Sequence, residues 1–118
     1  MKELTIIIKP EKLEAIKQIV DKNNCSGMTI STVMGCGTQK GHAENDEIAH
    51  TVKVNRVRVN LLPKIRVDIV IPDVKLNDFI IDVCNEVSSG KVGDGKIFVR
   101  DIEDAVRIRT GERGDKVL

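Results

Sequence analysis

A chain of 118 residues with 41% hydrophobic side chains can fold as one domain with a modest core, without disulfide or metal staples. Nineteen basic and eighteen acidic residues, mixed along the chain, leave a net charge of +1, which excludes bulk attraction to nucleic acid or to an anionic membrane. Phe79 and Phe98 are too few to stack bases, and the odd, widely spaced Cys25, Cys36 and Cys84 argue against a disulfide framework or a paired-cysteine metal site and for a reducing cytoplasm.

Residues 4–8 (LTIII) form a short apolar, β-branched run that predicts a buried strand. The run is too short for a signal peptide and no segment is long enough to span a bilayer, so membrane insertion is not expected. Pro10 suits the first turn of a helix, where its missing N–H has no partner to lose. From Glu11, Leu13, Ile16, Ile19 and Val20 recur at helical spacing and predict an amphipathic helix ending near Asn23 and Asn24. Ser26-Gly27 turns the chain, and residues 28–34 (MTISTVM) alternate as a half-buried strand.

At Gly35 the pattern breaks. Gly35-Cys36-Gly37-Thr38-Gln39-Lys40-Gly41 opens a long polar segment whose glycines lack both the spacing and the following helix of a dinucleotide fingerprint. Valine and basic residues alternate through 51–59 and could form a ribbon exposing Lys53, Arg56 and Arg58, with a register shift at Asn55-Arg56. A connection this long reads as a projecting loop that contacts another molecule. His42 and His50 have no further ligand at fitting spacing and read as solvated loop residues.

Regular structure resumes at Leu61, and residues 65–71 alternate as a strand with one strongly apolar face, closed by Pro72. Leu76, Phe79, Ile80, Val83, Cys84 and Val87 mark a second amphipathic helix. Residues 97–99 then predict a fourth strand, and residues 106–109 a last short one in which Arg107 and Arg109 share a face. The order is βαββαβ, the α+β double split βαβ of ferredoxin-like folds, with both helices on one face of an antiparallel sheet. Thr5, Ile7, Ile30 and Val70 would leave the other face too apolar for water, which predicts a sheet-to-sheet oligomer.

Between the second helix and the fourth strand lies Gly93-Asp94-Gly95-Lys96. Two glycines permit positive φ and close approach of backbone amides to a ligand, and the lysine adds a cation, so the stretch can cradle a polyphosphate. The same residues also make a tight turn with a solvated lysine. Arg107 and Arg109 likewise fit either an anion site or an edge strand blunted by charge. No Ser/His/Asp or Cys/His pairing and no carboxylate pair beside the glycines points to an enzyme.

Together these motifs resemble one known family. The run from Ser89 through Gly93-Asp94-Gly95-Lys96 to Val99 is similar to the C-terminal signature of the PII nitrogen-regulatory signal transducers. Arg107-Ile108-Arg109-Thr110-Gly111-Glu112 resembles the end of those chains, and Gly27-Met28-Thr29, Gly35-Cys36-Gly37, Gln39-Lys40-Gly41-His42 and Leu62-Pro63-Lys64 follow in family order. The resemblance implies a single PII-like domain over 1–118 with residues 38–60 as the T-loop, assembled as a cytoplasmic homotrimer with a nucleotide in each intersubunit cleft. ATP and ADP would compete there, contacted by Thr29, Gly35, Cys36, Gly37, Thr38, Val70, Gly93, Asp94, Gly95, Lys96, Arg107 and Arg109. 2-Oxoglutarate would join ATP through Mg²⁺ on Gln39, with Lys40, Gly41 and Lys64 around it. Such proteins sense nucleotide and 2-oxoglutarate and control an ammonium channel or a nitrogen-assimilation enzyme through the T-loop. This chain has no tyrosine to be nucleotidylated, a longer loop than the common enteric type, and Thr38 where arginine is usual. In the first two respects it resembles the paralogues that act on nitrogenase.

Overall fold

A computed structural model of the chain describes residues 1–37, 51–54 and 57–118, the backbone alone for 51–54 and 57–60. Strand β1 (Lys2–Ile8) passes through a 3-10 turn at Pro10–Lys12 into helix α1 (Leu13–Lys22). Strand β2 (Met28–Cys36) follows, then β3 (Thr51–Val54) and the fifteen-residue β4 (Val57–Ile71). A second 3-10 turn at Asp73–Lys75 starts helix α2 (Leu76–Val87), and β5 (Lys96–Asp101) completes the sheet.

The strands run in the order β2-β4-β1-β5, every pair antiparallel, with β3 paired to the outer end of β4. This is the expected βαββαβ arrangement. Leu4, Ile6 and Ile8 of β1 and Ile65, Val67, Ile69 and Ile71 of β4 are buried with Ile16, Ile19 and Val20 of α1 and Phe79, Val83 and Val87 of α2 in one cluster. The helical 3.6-residue period and the strand period of two thus meet on one face of the sheet. No described helix is long and apolar enough to cross a membrane.

Four expectations need correction. Gly35 and Cys36 do not open the loop: they continue β2, paired with Leu62 and Leu61 of β4. Residues 51–54 and 57–60, read as part of a projecting loop in preference to a strand, pair as an antiparallel ribbon in which Val52 lies opposite Val59 and Val54 opposite Val57, the ribbon that the valine alternation allows. Pro63 is tolerated within β4 because β1 begins to pair only at Ile65, leaving one neighbour there. Residues 106–109 form no strand; Val106 makes a single bridge to Arg113, and the Arg107 carbonyl accepts the N–H groups of Thr110 and Gly111 in a tight turn.

The fourth correction concerns the open face of the sheet. Ile30 lies opposite Val67, on the helix-covered side at its edge, not beside Ile7 and Val70. The open face is largely polar: Thr5 donates to Asp68 at 2.7 Å, Arg66 pairs with Asp68 at 3.0 Å, and Arg100 pairs with Glu3. Its apolar share includes Ile7, Val33, Val70 and Phe98, the last 54% exposed.

Phe79 is wholly buried, whereas Ile81, two residues on, is 55% exposed. Phe79→Ala is expected to lower stability by about 3–5 kcal/mol through lost burial and the cavity left behind, and Ile81→Ala by no more than about 0.5 kcal/mol. Urea unfolding of the two variants checks the contrast.

Candidate functional site

The loop between α2 and β5 is fixed by three separate restraints. Gly95, at φ +117°, lies so close to β1 that a Cβ would sit 1.9 Å from the Ile7 carbonyl oxygen, so both conformation and space demand glycine. Asp94 closes the loop on itself: its carboxylate accepts the N–H groups of Ser89 at 2.7 Å and Gly90 at 3.0 Å, and the Ser89 hydroxyl as well. Gly93, at φ +100°, has its carbonyl oxygen 3.0 Å from the Lys64 ammonium, which donates to it. These bonds use Asp94 as a brace, with its carboxyl held below the ordinary carboxylate range first by the Ser89 hydroxyl and then by the Ser89 N–H.

Lys64 is only 8% exposed although it carries a charge. It projects from the open face of β4 opposite Val33, and its stem passes Gly35, where an added Cβ would meet Lys64 Cγ at 3.1 Å. Burial first, and the neighbouring charge of Lys9 second, push the ammonium pKa down.

A cleft of about 580 Å³ joins these parts. Gly35, Cys36 and Gly37 line it from the end of β2, Lys64 from β4, and Gly93, Asp94, Gly95 and Lys96 from the loop and the start of β5. Three lysines border it: Lys64, Lys96 and Lys91. Lys91 was not expected, although Gly90-Lys91 repeats the Gly95-Lys96 pair five residues earlier. Ile7 enters the wall because β5 begins opposite it. Glycine-lined backbone, a Cβ-free approach and three bordering lysines suit a polyanion such as a polyphosphate.

Thr29 and Val70 are not in this cleft. They line a second, of about 350 Å³, with Gly27, Asp68 and the C-terminal residues Val117 and Leu118. Arg107 belongs to that side of the molecule, reaching the Lys116 carbonyl at 3.5 Å while its guanidinium pairs with Glu112 at 2.8 Å. Arg109 is exposed in the same turn. Convergence of the two arginines by strand alternation therefore does not hold, and the partner of Arg107, Glu112, was legible only as part of a motif. Thr38, Gln39, Lys40, Gly41, His42 and His50 lie outside the described residues. Among the described residues no three His, Cys, Asp or Glu side chains gather as a metal site.

Because Asp94 has a depressed carboxyl pKa in the folded chain, its contribution to loop order is full above about pH 4 and is lost as pH falls through that depressed value. The Ser89 and Gly90 amide resonances are expected to report a titration midpoint below the ordinary aspartate value. Asp94→Asn should abolish that titration, and a midpoint at or above the ordinary value would contradict the brace.

Comparison with known proteins places this geometry in context. The family model described as "Nitrogen regulatory protein P-II" matches residues 1–112. The chain is 41% identical over 118 residues to "Nitrogen regulatory protein GlnK" of Escherichia coli strain K12, covering all of both chains. It is 38% identical to "Nitrogen regulatory protein P-II 2" of Methanothermobacter thermautotrophicus, covering all of this chain and 97% of that one. To "Nitrogen regulatory protein P-II 1" of E. coli K12 it is also 38% identical, with both chains fully covered. With a whole-chain match and relatives of equal extent, the chain belongs to the nitrogen regulatory protein P-II family and is a regulator of nitrogen metabolism rather than an enzyme.

Proposed function

We propose that the chain is a cytoplasmic sensor that binds ATP or ADP at a site shared between copies of itself and, with Mg-ATP, binds 2-oxoglutarate to set its T-loop, residues 38–60. The observation that carries this reading is the division of the expected ligand residues between two clefts of one chain. The first holds the glycine backbone and lysines, suited to phosphates. The second holds Thr29 and Val70, with Arg107 bonded to the adjoining C-terminal turn. Neither cleft contains a complete set, so a second copy that sets its Thr29 side against the first copy's Gly35 side would complete a site. The resemblance that implies a homotrimer gives such a closed arrangement, since a head-to-tail contact closes into a ring.

In this reading Gly93, Asp94 and Gly95 offer amide donors to the phosphates, while Lys96, Arg107 and Arg109 balance their charge. Thr29 and Val70 contact the ribose and base, and Gly35, Cys36 and Gly37 let the base of the loop approach. Thr38 removes one cation from the phosphate end, so the family's preference for ATP over ADP is not carried over to this chain. Mg²⁺ would supply a bridge between ATP and 2-oxoglutarate, held from Gln39, with Lys40, Gly41 and Lys64 receiving the dicarboxylate. An effector can move the loop only through differential affinity for its states, and about 1–3 kcal/mol of coupling changes partner binding roughly 5- to 150-fold.

The partner is an ammonium channel or a nitrogen-assimilation enzyme. The absence of tyrosine supports a second reading, in which dinitrogenase is the target, because it removes the loop's usual modification site. Pull-down from cells with and without 2-oxoglutarate separates the two.

Calorimetry is expected to show ATP and ADP competing for one site, with Lys96→Ala and Arg109→Ala each weakening binding by roughly one to two decades, as for the loss of one charge-assisted contact. Unchanged affinity in both variants would refute the site. Light scattering at micromolar concentration should give a trimer mass, and a monomer would remove the shared site. 2-Oxoglutarate should bind only when Mg²⁺ and ATP are both present, and tight binding without them would overturn the proposed order.

A further inference from the structure

Resting on the nucleotide reading above, we infer that Lys64 is a positioning residue of the phosphate cradle, acting through the Gly93 carbonyl before any dicarboxylate is present. The Lys64 ammonium donates to that carbonyl at 3.0 Å from a position only 8% exposed, across 29 residues of sequence. A trans peptide is planar, with its C=O and N–H pointing in opposite directions, so holding the Gly93 oxygen toward β4 aims the N–H of Asp94 the other way. In the nucleotide reading that N–H is one of the amide donors offered to the phosphates.

The other two cradle residues are held by different means. Asp94 is braced through its carboxylate on Ser89 and Gly90, and Gly95 by the backbone of Ile7. Gly93 has φ +100° and no side chain to restrict it, so without Lys64 its peptide would be the free one of the three. Gly35 belongs to the same device. A Cβ there would come within 3.1 Å of Lys64 Cγ, so the bare backbone of β2 leaves the lysine stem its path to the loop. Burying an ammonium is costly unless it is hydrogen-bonded, and here the bond is made to the cradle itself.

The test uses the full-length protein with Lys64→Met, which keeps the stem and removes the donor. Amide spectra of the ligand-free protein are expected to show the Asp94 and Gly95 resonances shifted and exchanging faster, with the core amides of Ile6 and Val67 unmoved. ADP, titrated without Mg²⁺ or any dicarboxylate, is expected to bind about tenfold more weakly than to the parent chain. Should Lys64→Met fail to fold, Lys64→Leu, which likewise lacks a donor, is read in the same way. Unmoved Asp94 and Gly95 amides, or unchanged ADP affinity in a parent chain that does bind ADP, would overturn the positioning role and leave the nucleotide reading intact. A parent chain that does not bind ADP at all would overturn both.

Discussion

Strand β4 is hydrogen-bonded to β1 along residues 65–71 and to β2 along residues 61–69, so its register decides what every neighbouring residue faces. Ile65, Val67, Ile69 and Ile71 point into the core between sheet and helices. Lys64, Arg66, Asp68 and Val70 take the opposite face. A slip of one residue would exchange the two sets, exposing four apolar side chains and burying three charged ones, at a cost of several kcal/mol for each uncompensated ion. The core therefore fixes the register, and the register delivers Lys64 to the glycine loop and Asp68 to Thr5.

The same constraint divides the expected ligand residues. Gly35 and Lys64 lie toward the outer end of the β2-β4 pair, while Thr29 and Val70 lie toward the other. Antiparallel pairing holds the two groups at opposite ends of one ladder, and no side-chain rotation brings them together. A chain built in this way presents two partial surfaces, and in the proposed reading ligand occupancy would be tied to assembly. The open face adds polar complementarity rather than an apolar plate: Glu3, Thr5, Arg66, Asp68 and Arg100 are already satisfied within the chain. The exposed apolar side chains of that face, Phe98 above all, call for cover by another copy.

Much of this was legible in the sequence because the two periodicities are strong. Ile16, Ile19 and Val20, and Phe79, Val83 and Val87, mark their helices at 3.6-residue spacing, and residues 65–71 mark a strand by twos. The open face was misread at Ile30, because alternation says which residues share a side but pairing decides which side that is. Residues 106–109 were misread because four alternating residues fit an edge strand and a turn equally well, and the local bonds of Arg107 to Thr110, Gly111 and Glu112 won. Gly93, Asp94 and Gly95 were legible as a special backbone, but not the brace from Asp94 to Ser89 or the hold of Lys64 on Gly93. Both depend on side-chain reach within the folded chain, which spacing does not encode.

The central claim is that one nucleotide site needs two copies of the chain, and mixed assemblies test it most directly. Lys96→Ala damages the glycine-cleft half and Arg109→Ala the other, so each variant alone should bind ADP weakly. If the halves come from different copies, co-expressed variants will form assemblies in which an undamaged Lys96 meets an undamaged Arg109, and a population of sites with parental ADP affinity will appear. If the mixed assemblies bind no better than either variant alone, the two groups act within one chain and the account of a shared site is wrong.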